Sequence, residues 1–199
     1  MGNHKYENKL VYGVGVCDEG VYKPYVLGKV TKEYCLWKHM LERCYSEKYH
    51  SNHPTYTNCS VSVNFKNFQY FAEWTNNQIG FGLKDYALDK DILVKGNKIY
   101  CENNCVFVPR QLNAFLTNSK AIRGNYPVGV SKHKNKYRSF ISLENKSKHL
   151  GTSNTPEEAF EAYKAFKESY AKQLALEHEG FVDPRVITSL NNYEVNIDD

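Results

Sequence analysis

The chain has 199 residues and a mass of 23.0 kDa, room for one large domain or two small ones. Apolar types make up 41%, aromatics 14% and charged types 24%, a mixture that can bury a core and need not be disordered. Mean hydropathy is −0.63, no apolar run nears the ~20 residues of a bilayer span, and Met1-Gly2-Asn3-His4-Lys5 has no secretory character. A cytoplasmic protein without a membrane partner is expected.

The net charge of +4 is unevenly spread. Residues 1–119 carry 14 basic and 11 acidic side chains, residues 120–150 carry eight basic groups against Glu144 alone, and residues 151–199 carry four basic and ten acidic. A block this basic beside an acidic one is the footprint of a polyanion partner. A solvated lysine-rich face is the plainer alternative. The six cysteines (17, 35, 44, 59, 101 and 105) are irregularly spaced, which favours reduced thiols. A structural zinc site is the less favoured reading. Cys101 and Cys105 have a C-x3-C spacing, with Cys44, Cys59, His50 and His53 upstream, but no second tight pair accompanies them.

In chain order, residues 1–33 scatter glycines among valines and tyrosines, as hairpins do. Tyr34, Trp37, Leu41 and Cys44 share one helical face, with Met40 beside it. Ser46–Ser60, polar and holding Pro54, reads as a loop. A second helix is predicted near Phe65–Thr75, with Phe65, Phe68, Ala72 and Trp74 inward. A strand carrying Asp89 and Asp91, a turn at Gly96-Asn97 and a returning Val106-Phe107-Val108 form a predicted hairpin. Pro109 then opens a short helix bearing Asn113. This hairpin and helix can bring Asp89 and Asn113 together as hard oxygen ligands for Mg2+. Equally, Asp89 and Asp91 suit the closing of a turn, Asn104 suits a turn, and Asn113 suits a solvated helix face.

Residues 118–125 read as a polar linker. Beyond it lie a short strand at Val128–Ser131, an alternating strand at Lys136–Leu143, a turn at Glu144-Asn145-Lys146 and a return through Ser147–Gly151. The odd residues Tyr137, Ser139, Ile141 and Leu143 are mostly apolar. The even residues Lys136, Arg138, Phe140 and Ser142 form a basic face with one aromatic. Thr155, Pro156 and Glu158 spell a capping box with proline at the first helical position. Ala159, Ala162, Tyr163, Phe166 and Tyr170 then form the stripe that covers the odd face.

The run Leu88-Asp89-Lys90-Asp91-Ile92, then Ile99-Tyr100 with Asn104-Cys105, Phe107-Val108-Pro109 and Leu112-Asn113, resembles the ββα-metal core of the HNH endonuclease family. The phage-borne homing-type branch, which has aspartate for the opening histidine, is nearest. Trp37, Met40, Arg43 and Cys44, and then Phe68, Phe71 and Trp74, resemble the N-terminal portion of that branch. The Tyr126-Pro127, Gly129-Val130, Lys136-Tyr137-Arg138, Leu150-Gly151-Thr152 and Pro156-Glu157-Glu158-Ala159 signatures resemble the Apetala-two-type DNA-binding domain. The resemblance covers roughly residues 34–175.

It implies an α+β protein. An HNH-like nuclease region (1–117, ββα core about 86–117) would be joined by the linker to an Apetala-two-like domain (126–178), a three-stranded antiparallel sheet packed on one helix, with a tail at 179–199. Carried over by position, Asp89 and Asn113 would hold Mg2+ or another divalent ion, and Asn104 would fix the hairpin or orient the catalytic group. Lys90 stands where the family has its general-base histidine. A lysine titrates near ~10.4 and holds its proton at neutral pH, so it would grip phosphate while Asp91 or another group acts as base. On the sheet, Arg138 and Phe140 would meet double-stranded DNA, with Ser131, His133, Lys136, Ser142 and His149 beside them. Lys132, Lys134, Lys146 and Lys148 would hold phosphates. The leading expectation is a phage homing-type, metal-dependent DNA endonuclease in an infected bacterium. The alternatives are an inactive HNH-like DNA-binding regulator, or a phage protein that inhibits a host defence complex. A host protein partner would be met by the acidic Glu157, Glu158, Glu161, Asp198 and Asp199.

Overall fold

The computed structural model describes residues 10–116, 125–143 and 146–199. It is a mixed α+β structure that divides after Phe107 into two compact units. The turn expected at Glu144-Asn145 and nearly all of the linker expected at 118–125 lie outside the described residues.

In the first unit, strands β1 (Tyr25–Val26) and β2 (Lys29–Val30) form a hairpin, which is where the glycine-rich opening resolves into strands. Helix α1 (Lys32–Tyr45) begins at Thr31, whose hydroxyl accepts from the amide of Tyr34, and it buries Trp37, Met40, Leu41 and Cys44, the expected face. The loop expected from Ser46 to Ser60 instead holds a short helix, α2 (Glu47–Asn52), and a single 3-10 turn at Pro54–Tyr56. Ser46 explains the difference: its side chain accepts from the Tyr49 amide and satisfies a donor that would otherwise fray. Strand β3 (Ser60–Val61) follows. Helix α3 (Phe68–Asn76) starts later than expected because Asn67, not Phe65, caps it. Phe65 lies in the preceding turn and its carbonyl accepts from the Trp37 indole at 2.8 Å. That bond satisfies a polar atom inside the aromatic core of Trp37, Phe65, Phe68 and Phe71.

Strand β4 (Tyr86–Asp89) is bonded to β6 (Val106–Pro109). The intervening β5 (Ile99–Tyr100) pairs in parallel with β3. The Gly96-Asn97 turn therefore does not close a simple hairpin; it hands the chain to a different strand first.

The second unit opens on the end of β6 and helix α4 (Arg110–Leu116). Strands β7 (Val130–His133), β8 (Lys136–Leu143) and β9 (Lys146–Ser153) form an antiparallel sheet in the order β7-β8-β9. Helix α5 (Pro156–His178) packs on it and carries the full capping box at Thr155 and Glu158. The odd face of β8 is the inner one: Ser139 and Ile141 are buried with Val130, Ala159, Phe160 and Tyr163. Gly129 lets β7 approach the helix. Its φ is +74°, and an added Cβ would stand 2.1 Å from the Tyr163 ring. In β9 one residue bulges, so that Ser139 faces Gly151 while Phe140 faces His149.

The segment expected as a tail from residue 179 is structured. Helix α6 (Pro184–Asn191) packs on α5, burying Val186 and Leu190. Val195 is buried in the core of the sheet unit, and its amide donates to Glu168 at 3.0 Å. Val182, Val186 and Leu190 recur at a spacing of four, a helical signal the sequence carries.

Candidate functional site

The sheet of the second unit has one covered and one open face. Directly opposed residues of antiparallel strands share a face, so the register assigns the side of each residue. Ser131 opposes Arg138, His133 opposes Lys136, Phe140 opposes His149, Ser142 opposes Ser147, and Arg138 opposes Thr152. The exposed Lys136, Arg138, Phe140 and Ser142 therefore stand beside Ser131, His133 and His149. This brings together seven of the eleven residues expected to meet DNA. A cavity of about 420 Å³ opens among Ser131, Arg138, Phe140, Ser147, His149 and Thr152. Ser147 and Thr152 are additions: alternation along β9 counted from His149 misses Thr152, because the bulge falls between them.

The remaining four lysines fall elsewhere. Lys132 opposes Tyr137, Lys148 opposes Ile141 and Lys146 opposes Leu143, all on the register of the helix side. Lys148 Nζ stands 4.4 Å from the centre of the Phe166 ring, a cation–π contact. Lys134 sits between β7 and β8 with φ +54°. Among the described residues, no carboxylate belongs to the paired positions of the open face. Of the acidic side chains expected to dock a host protein, Glu158 is committed to the helix cap, accepting from the amides of Asn154 and Thr155.

In the first unit, Asp89, Lys90 and Asp91 form a tight knot at the end of β4. Asp89 Oδ1 accepts from the amides of Asp91 and Ile92, each at 2.7 Å, so this carboxylate closes the turn. Burial lifts its pKa above the ordinary aspartate value, against the lowering effect of those two amides. The Lys90 side chain runs inward and the residue is only 5% exposed. Its Nζ donates to both oxygens of Asp91 at 2.7 Å and to the Asn97 carbonyl at 2.8 Å. It also stands 6.0 Å from the Tyr56 ring centre and 5.8 Å from that of Tyr100. Asn97 binds back: its amide nitrogen donates to the carbonyls of Lys90 and Ile99, and its oxygen accepts from the Ile99 amide and from Asn104. Asn104 thus bonds to the side chain of Asn97, the residue that organises this turn and that sequence reasoning used only as a turn former.

This knot does not fit a divalent cation. Both oxygens of Asp91 are on an ammonium group, and the same buried cation adjoins Asp89. Such a neighbour opposes a second positive charge. Asn113 lies on α4. Among the described residues, no group of three or more histidine, cysteine or acidic side chains is placed to hold a metal. Cys44, Cys59 and Cys105 are buried in the aromatic core, where burial pushes the Cys44 thiol up to about 12 and raises that of Cys105. Protonated thiols of this kind behave as small apolar side chains. No helix among the described residues is long and apolar enough to cross a membrane.

Comparison of the chain with protein-family models, with curated proteins and with solved structures gives no match.

Proposed function

We propose that this chain is a cytoplasmic double-stranded-DNA-binding protein that grips the duplex with the open face of β7, β8 and β9. The carrying observation is the burial alternation of β8: Ser139 and Ile141 are sealed against α5, while Lys136, Arg138, Phe140 and Ser142 are exposed. A sheet face made of cations, hydroxyls, imidazoles and one aromatic ring, with no carboxylate at its paired positions, suits a phosphate backbone and the base edges of a wide groove. On this reading the HNH-like part supports folding, because the carboxylates of its first strand are spent on a turn and an ion pair.

The test is a salt titration of duplex binding by fluorescence anisotropy. Replacing Lys136 and Arg138 together by alanine should weaken binding and lower the slope of log affinity against log salt by about 1.8, at ~0.9 for each phosphate no longer neutralised. An unchanged slope would place the DNA-binding surface elsewhere. Including Mg2+ in the same reactions checks phosphodiester hydrolysis: nicking that disappears in Asp89→Ala would restore the endonuclease reading.

A further inference from the structure

The hairpin of β1 and β2 puts a leucine where turn chemistry asks for asparagine or glycine. Tyr25 pairs with Val30 and Val26 with Lys29, leaving the two-residue loop Leu27-Gly28. Both loop residues have positive φ, +50° and +74°, the signature of a type I′ turn, whose first position favours Asn, Asp or Gly. A leucine held in the left-handed region crowds its own backbone and costs stability. Among the described residues no packing offsets this, since Leu27 is 96% exposed. Val21, Tyr25, Val26 and Val30 around it are exposed as well. The base of the hairpin is nonetheless firmly held. The Thr31 hydroxyl donates to the carbonyls of Lys23 and Pro24, the Thr31 amide donates to Pro24, and the Tyr25 ring leans on Tyr34 at 5.9 Å.

The charge around this tip selects its partner. Between Glu19 and Glu33 the segment contains Lys23, Lys29 and Lys32 and no acidic side chain; at its ends Asp18 accepts from Asn67 and Glu33 from Asn76, Lys32 reaches the Gly82 carbonyl, and Lys23 and Lys29, nearer the tip, are exposed. Two copies of such a tip would repel one another, whereas a polyanion would be attracted. An apolar side chain on a rigid arm between lysines is the form of a wedge that enters between stacked base pairs, the cations holding the flanking phosphates.

We infer that the β1–β2 hairpin is a second DNA-contacting element, which inserts Leu27 into a base step of the duplex. This rests on the reading that the chain binds DNA. It is independent of which face of the second unit does so.

The experiment uses the full chain, a duplex carrying 2-aminopurine at successive positions, and Leu27→Asn. Asparagine suits the turn, so the variant should melt above the parent. The parent should raise 2-aminopurine fluorescence at the unstacked step. Leu27→Asn should abolish that rise and weaken binding about tenfold, as expected when one apolar side chain is withdrawn from a dry interface. Binding without a fluorescence rise, or a rise that survives in Leu27→Asn, overturns the wedge and leaves the sheet reading standing. A rise that depends on Leu27, together with a salt slope unchanged in Lys136→Ala with Arg138→Ala, keeps the wedge and overturns the sheet reading. Absence of any binding by the parent overturns both. Loss of a dimer in light scattering of Leu27→Asn without DNA would identify a second copy as the occupant and also overturn the wedge.

Discussion

Removing the carboxylate of Asp91 tests whether the turn after β4 is architecture or chemistry. Lys90 Nζ makes three short hydrogen bonds, two of them to Asp91, and the lysine side chain is 6% exposed against 51% for the aspartate. Asp91→Ala leaves the ammonium with the Asn97 carbonyl as its one remaining hydrogen-bond acceptor, beside the Tyr56 and Tyr100 rings. Stranding a buried charge costs about 3–5 kcal/mol, and the half-exposed position of Asp91 admits enough water to bring this to about 2 kcal/mol. Lys90→Met removes the charge and keeps the stem; Asp91 returns to solvent and one carbonyl loses a donor, for about 1 kcal/mol. The double variant should cost no more than Lys90→Met alone, a departure from additivity of about 2 kcal/mol. Urea denaturation at neutral pH, with the m-value checked for constancy, measures all three. Asp91→Ala within about 0.5 kcal/mol of the parent, or a strictly additive double variant, would refute the structural role.

Three further outcomes are expected. Gly129→Ala should destabilise the protein by about 3 kcal/mol, from left-handed strain and overpacking against Tyr163, read as a lowered melting temperature. Lys148→Ala should leave the salt dependence of the proposed DNA binding nearly unchanged while lowering stability by about 0.5–1 kcal/mol, because the Phe166 ring is left without its cation; a slope change as large as that of Arg138→Ala would refute the facing assigned from the register. Asp89→Asn keeps the oxygen that accepts from the amides of Asp91 and Ile92. Because the folded-state pKa of Asp89 is raised, its ionisation opposes folding, and this cost grows as pH rises from about 4 through the folded value. The variant should therefore gain on the parent with rising pH in denaturation curves, and a gain that shrinks with pH would contradict the burial argument.

The sheet unit was the most legible part of the sequence because its signals are local. Period-two alternation in Lys136–Leu143 and a capping box at Thr155 each act over a few residues, and one face of β8 has a helix to bury it. The parallel pairing of β3 with β5 was not legible. Each strand is two residues long, and the pairing joins positions some forty apart, too short a run for a pattern. Lys90 was legible as a departure from the pattern the sequence resembles but not as a buried group. Its place depends on the Asn97 carbonyl and on the Tyr56 and Tyr100 rings, which only the tertiary structure assembles. Residues 179–199 were under-read: Val186 and Leu190 carry helical spacing behind Pro184, with Val182 one step of four before them, but their acidic neighbours suggest solvent.

The extra residue in β9 separates the outline of the open face from its contents. Leu150 and Gly151 together span the place of one residue opposite Ser139, and such an insertion bends its strand and tightens the coil of the ribbon. Excising Leu150 would leave His149 opposite Phe140 and Thr152 opposite Arg138, so the same groups would look outward from a straighter surface, with one leucine fewer beneath. Curvature and chemical lettering can thus be varied one at a time in this protein.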